Sequence, residues 1–222
     1  MNAIQPIYFI PGLGTTRTIF EKTAVPQGFQ KHYIDWIEPI SDIESLRSYS
    51  ARLLEQVLHP NPIFVGMSFG GLVALELSNH FQSKKVLLIS SFRNKHDLTF
   101  PIRTLLKAKP YKFIPDIELS AVRRIVRRAY AIRSAVPVAK LLAMMGDHSP
   151  RYLRWSVRMI DEYQPNLLHK PEIHSIIGDK DSLVKVWKDY PSKVIPGGTH
   201  IAVYEHAHTV NDIIAEILKG NG

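Results

Sequence analysis

The sequence predicts an α/β protein: a mostly parallel central sheet flanked by helices, with a helical insertion. Three observations predict it. Runs such as Ile7-Tyr8-Phe9-Ile10, Ile63-Phe64-Val65 and Val86-Leu87-Leu88-Ile89 are apolar throughout, as strands buried on both faces are. Helical patterns separate these runs at the spacing of β-α-β units. From Phe92 to Gln164 the rhythm stops, and only helix-like stretches punctuated by prolines appear.

Pro6 to Ile10 reads as the first strand, and Pro11-Gly12-Leu13-Gly14 turns the chain. Lys31 to Ile37 reads as the second, closed by Pro39. Ser41-Asp42-Ile43-Glu44 has the spacing of a capping box, Ser with Glu three later. It predicts a helix burying Ile43, Leu46, Leu53, Leu54, Val57 and Leu58, stopped at His59-Pro60. Ile63-Phe64-Val65 is the third strand, with a helix behind it through Leu72, Val73, Leu75 and Glu76. Lys84 to Ile89 is the fourth, ending at Ser90-Ser91. Helices are expected over Ile102–Ala108, Leu119–Ala135, Val138–Met145 and Tyr152–Tyr163. Strands resume at Ile173–Ile177 and Ser192–Ile195, and a helix over about Ala207–Leu218 closes the chain.

Between the third strand and its helix lies Gly66-Met67-Ser68-Phe69-Gly70, a full match to G-x-S-x-G. The motif requires strand, tight turn and helix, so that the serine hydroxyl stands clear above the sheet. Glycines flank it because side chains there would collide with strand and helix. The helix start also offers backbone N–H groups to a developing negative charge. On these residues, and on Ile176-Ile177-Gly178-Asp179-Lys180-Asp181-Ser182-Leu183-Val184 and Pro196-Gly197-Gly198-Thr199-His200, the chain resembles the α/β-hydrolase family. The order Ser68, Asp181, His200 is the family order. The resemblance covers Pro6–Ser91 and Pro171–Leu218. It implies a core of residues 1–91 and 166–222 and a helical lid over 92–165.

The resemblance further implies a catalytic triad of Ser68 as nucleophile, His200 as base and Asp181 as the acid, with Asp179 as its competitor. It places the oxyanion donors at the N–H groups of Leu13 and Phe69, although the family's common His-Gly is Pro11-Gly12 here. A serine hydroxyl needs a base to take its proton as it attacks a carbonyl carbon, and a carboxylate fixes the imidazole and stabilises its cation. The implied function is a serine hydrolase cleaving a carboxylic ester, of a mainly apolar acyl group or small alcohol, through an acyl-enzyme. The same triad serves thioesters and C–C bonds, and a non-catalytic small-ligand sensor can retain it. The chemistry calls for no cofactor and no metal. Gly12-Leu13-Gly14 begins like a dinucleotide loop but has Arg17 at the third glycine position. Glu205, His206 and His208 lie close in sequence without a second cluster to complete a metal site.

The chain has 222 residues and a net charge of +8, enough for one domain with an inserted subdomain. Residues 91–164 hold 15 Lys+Arg and 6 Asp+Glu, a net of +9; the remainder holds 13 and 14, a net of −1. Arg123, Arg124, Arg127 and Arg128 share one face of the expected helix over Leu119–Ala135. The plain reading is a solvated helix side, and the sharper one is contact with an anionic lipid surface or acidic substrate. No recognised nucleic-acid module accompanies the basic segment. Met144-Met145 and Trp155 read as packing the lid or lining the pocket. There are no cysteines, hence no disulfide and no thiol catalysis. No apolar run approaches a membrane span and the N-terminus lacks a secretory pattern, so a cytoplasmic protein is expected. The oligomeric state has no signature in the sequence.

Overall fold

The computed structural model describes residues 4–81, 83–114, 136–168, 170–187 and 190–220. The expected helix over Leu119–Ala135, with its arginine face, lies outside them. Six strands form one sheet: β1 (Gln5–Ile10), β2 (Phe29–Tyr33), β3 (Ile63–Met67), β4 (Lys85–Ile89), β5 (Glu172–Gly178) and β6 (Ser192–Ile195). Their order is β2-β1-β3-β4-β5-β6, and every pairing is parallel. Seven α-helices are described: α1 (Leu46–Leu53), α2 (Phe69–Phe81), α3 (Phe100–Lys107), α4 (Val138–Ala143), α5 (Pro150–Glu162), α6 (Ala202–Glu205) and α7 (Ala207–Leu218).

The uniformly apolar strands follow from cover on both faces. Tyr8, Ile10, Phe64, Val86, Leu88 and Ile177 join α1, α2 and α5 in one core. Ile7, Phe9, Val65, Leu87, Ile89 and Ile176 join α7 in the other. Helix α2 is buried from Phe69 through Ser78, because α1 packs against it in addition to the sheet. Its one carboxylate, Glu76, accepts a hydrogen bond of 2.9 Å from the buried Tyr163 hydroxyl. Burial first, and the Glu76 charge second, hold the Tyr163 hydroxyl in its protonated form far above the usual phenol range.

Three expectations are corrected. Strand β2 ends at Tyr33, not Ile37. The ladder closes at Ile34, whose N–H donates to Phe9, and the next free amides go to side chains: Asp35 to Gln56 Oε1 and Ile37 to the Tyr49 hydroxyl. Helix α1 is capped by Ser45, not Ser41. Glu44 is not a capping-box partner, because both its oxygens hold the Arg52 guanidinium and one also accepts the Ile40 N–H. The later start and the end at Leu53 leave Ile43 and Leu58 exposed rather than buried. Met144 and Trp155 are fully packed in the two cores, so neither lines an open pocket.

One half-buried histidine, His32, and one buried one, His174, are expected to make the fold acid-sensitive. His32 stacks on Tyr8, and its ring lies 4.4 Å from that of His59. Burial, then the neighbouring His59, holds its pKa below the ordinary 6.5. His174 is also held below 6.5, by burial first; Lys85 and Lys193 add to this, and Glu172 opposes it. A histidine with a depressed folded pKa binds its proton more readily when unfolded. Its contribution is therefore complete above about pH 6.5 and is lost as pH falls from there through the folded value. Thermal midpoints are expected to fall on acidification across this window, and His32→Gln should flatten the dependence. An unchanged slope in that variant removes His32 from the account.

Candidate active site

Strand order reverses between β1 and β3, and the carboxyl ends of strands at such a switch point are where open α/β sheets place ligands. The turn after β3 puts Ser68 at that position, 7% exposed and with φ +50°. A non-glycine residue in this region is strained and needs its surroundings to hold it. Those surroundings are specific. Ser68 N–H donates to Ile89 O at 3.0 Å, and its carbonyl accepts from Gly71 N at 3.0 Å and Ser91 Oγ at 2.6 Å. A Cβ on Gly66 would fall on the backbone of Gly70 and Gly71, one on Gly70 on the carbonyls of Ile10 and Pro11, and one on Gly71 on Ser91 Oγ. Each approach is closer than real Cβ atoms tolerate, so all three positions exclude a side chain.

His200 sits on the loop between β6 and α6, and Asp181 on the loop after β5. The two loops are stitched together. Gly178 and Gly198 touch backbone to backbone. Lys180 N–H donates to Gly198 O, and Asp179 N–H to Ile195 O. Asp179 Oδ1 accepts the Gly197 N–H at 2.7 Å. Asp179 therefore ties the loops together while Asp181 faces His200, its Oδ2 2.9 Å and Oδ1 3.1 Å from Nδ1. The Asp181 side chain is fully buried, and Oδ1 also accepts the Leu183 and Val184 N–H groups at 2.8 and 3.0 Å. His200 Nε2 lies 2.9 Å from Ser68 Oγ. Facing a carboxylate, Nδ1 is the donor, which leaves Nε2 to accept from the serine hydroxyl.

Leu13 and Phe69 flank the same corner. Phe69 opens α2, where first-turn N–H groups have no intrahelical acceptor. The carbonyl of Gly12 accepts Thr15 N–H at 3.1 Å, Thr15 Oγ1 at 3.0 Å and Trp36 Nε1 at 3.2 Å. In a trans peptide the N–H points opposite to the carbonyl, so this three-donor clamp fixes the direction of the Leu13 N–H. Sequence reading missed the clamp, the Ser91 bond and the tying role of Asp179; of these only Ser90-Ser91 at a strand end left a local trace. Residues 14–16 also pair with the insertion: Thr16 N–H donates to Met144 O and Gly146 N–H to Gly14 O.

The other flagged histidines do other things. His208 pairs with Asp212 on the surface, and Glu205 accepts from Thr199 Oγ1. Among the described residues no three His, Asp or Glu side chains converge as metal ligands. None of their helices is long and apolar enough to cross a membrane.

A family model described as the alpha/beta hydrolase family matches residues 7–213. The chain belongs to the alpha/beta hydrolase family. Structures described as esterases and bromoperoxidases are among the solved structures it resembles. It is similar to a bromoperoxidase from Bacillus anthracis, 16% identical with a TM-score of 0.73, covering 97% of this chain and 92% of that one. An esterase from Thermogutta terrifontis is 12% identical at a TM-score of 0.70, covering 99% and 91%. An esterase from Exiguobacterium antarcticum is 14% identical at 0.69, covering 99% and 93%. At these identities the likeness concerns the fold. A comparison with curated protein sequences found no match.

Proposed function

We propose that this chain is a serine hydrolase that cleaves a carboxylic ester through an acyl-enzyme. The observation that carries the reading is the unbroken hydrogen-bonded chain from Ser68 Oγ through His200 to Asp181. Family membership supports it, and so do the two similar esterases.

Ser68 Oγ attacks the ester carbonyl carbon while His200 Nε2 takes the hydroxyl proton. Asp181 holds Nδ1–H and stabilises the imidazolium without itself taking the proton. The carbonyl oxygen becomes an oxyanion, bound by the N–H groups of Phe69 and Leu13, and such preorganised donors are commonly the largest single contribution to rate. Collapse breaks the bond to the alkoxy group, which leaves as an alcohol with the proton from His200. Water then attacks the acyl-serine with His200 again as base, releasing the carboxylic acid and restoring Ser68. All groups needed for this cycle are side chains and backbone of the chain itself. Residues 92–165 act as a lid: their contact with the turn at residues 14–16 supports a role beside the oxyanion corner, and Trp36 stacked on Phe69 at 5.5 Å supports an apolar substrate.

Labelling with a fluorophosphonate, followed by mass mapping of the adduct, tests the reading. One phosphonyl group on Ser68 is expected, with loss of hydrolysis of a short p-nitrophenyl ester. Modification at another residue overturns the assignment, and tight ligand binding without turnover points instead to a sensor.

A further inference from the structure

The basic character of the insertion has a described and exposed part, separate from Ser68. From Leu98 to Pro115 the sequence contains no acidic residue. This stretch is α3 followed by a 3-10 turn, Pro110–Phe113, that packs on it. Leu106 and Tyr111 anchor it below, 4% and 7% exposed. Above them three large apolar side chains stand in solvent: Phe100 at 70%, Leu105 at 57% and Phe113 at 79% exposure.

Between these side chains lie Arg103, Lys107, Lys109 and Lys112. The ion pairs on this side of the molecule join Arg93 to Asp97, Lys95 to Asp161, Arg154 to Asp42 and Arg158 to Glu162. Among the described residues none is formed by those four cations. Lys109 lies where two grooves meet, of about 620 and 350 Å³. Arg154 and Arg158, each paired with a carboxylate of the same groove, Asp42 and Glu162, line the first; Arg103 and Lys107 line the second beside Lys95 and its partner Asp161; neither groove includes Ser68, Asp181 or His200.

We infer that Phe100–Phe113 docks this protein onto an anionic phospholipid surface, with Phe100, Leu105 and Phe113 entering the interface and Arg103, Lys107, Lys109 and Lys112 facing the headgroup phosphates. Basic residues interleaved with exposed aromatic and aliphatic ones are what an interfacial segment requires. A soluble phosphorylated ligand seated in either groove is the nearest rival. It would satisfy the cations but leave Leu105 and Phe113, which line neither groove, in water. A membrane takes up both.

Co-sedimentation with phosphatidylglycerol vesicles at low ionic strength tests the inference, with phosphatidylcholine vesicles as the neutral control. Binding to the anionic vesicles, weakened by added salt, is expected. Each Lys or Arg near an anionic surface contributes about fivefold to partitioning, so Lys107→Gln with Lys112→Gln should lower it about 30-fold. Leu105→Ser with Phe113→Ser should reduce the part of binding that survives in salt. All four side chains are exposed, so both variants should melt as the wild type does. Ser68→Ala should bind vesicles like the wild type, which keeps this result independent of the proposed hydrolysis. Absence of binding to anionic vesicles at low salt overturns the inference, as does equal binding by both double variants. Displacement from the vesicles by stoichiometric glycerol 3-phosphate overturns it in favour of a soluble ligand.

Discussion

Ser68→Ala is expected to lower kcat for a short p-nitrophenyl ester by about 10⁴-fold or more, with KM changed little. Removing the nucleophile of such a triad takes away nearly all that the triad contributes, and what remains comes from oxyanion donors and substrate binding. A fall of less than about tenfold sinks the nucleophile assignment. Stability at this position depends on the backbone as well as on the hydroxyl. Ser68 is held at φ +50°, a conformation costing an L-residue about 1–2 kcal/mol. Ser68→Gly relieves that cost, offset in part by the roughly 0.5–1 kcal/mol of added freedom glycine has in the unfolded chain. That variant loses the hydrogen bond to His200 Nε2 as Ser68→Ala does, so it should be inactive yet melt no lower than Ser68→Ala. Ser68→Ala keeps the strain and loses the hydrogen bond to His200 Nε2, so it should melt slightly lower. A backbone held in strain only to present a hydroxyl is a functional cost, and this pair of melts measures it.

The parts of the fold legible in the sequence were those decided locally. Apolar runs covered on both faces read as strands, and Ser68, Asp181 and His200 could be singled out because each follows a strand in a recognisable loop. Errors arose where distant partners decide. The start of α1 moved because Arg52 claims Glu44. Strand β2 stopped early because Gln56 and Tyr49 reach in for its next amides. No window around Leu13 contains Trp36, so the clamp on Gly12 could not be read from the turn itself. Asp181 was preferred to Asp179 by its place in the family loop; what the sequence did not show is what Asp179 does instead, accepting the Gly197 N–H while His200 stands opposite Asp181.

That difference leads to the second large effect. Asp181→Asn should lower kcat by about 10³–10⁴-fold while leaving the fold in place. The amide oxygen of the asparagine can keep the Leu183 and Val184 N–H groups that Oδ1 now holds. That fixes the rotamer and turns the NH₂ toward His200 Nδ1. An NH₂ donates, so Nδ1 must accept, and the ring proton moves to Nε2, pointing at Ser68 Oγ. An imidazole in that tautomer has no lone pair for the serine proton, and the geometry survives while the chemistry stops. Asp179→Asn should behave differently, since its amide oxygen can still accept the Gly197 N–H, and a loss below about tenfold is expected. Asp179→Ala removes that bond at an exposed site where water can replace it, costing about 1 kcal/mol of stability. Parallel kcat, KM and melting measurements on the three variants check the assignment. If kcat collapses in Asp179→Asn and not in Asp181→Asn, the acid has been placed on the wrong residue, and the loop must rearrange when substrate binds.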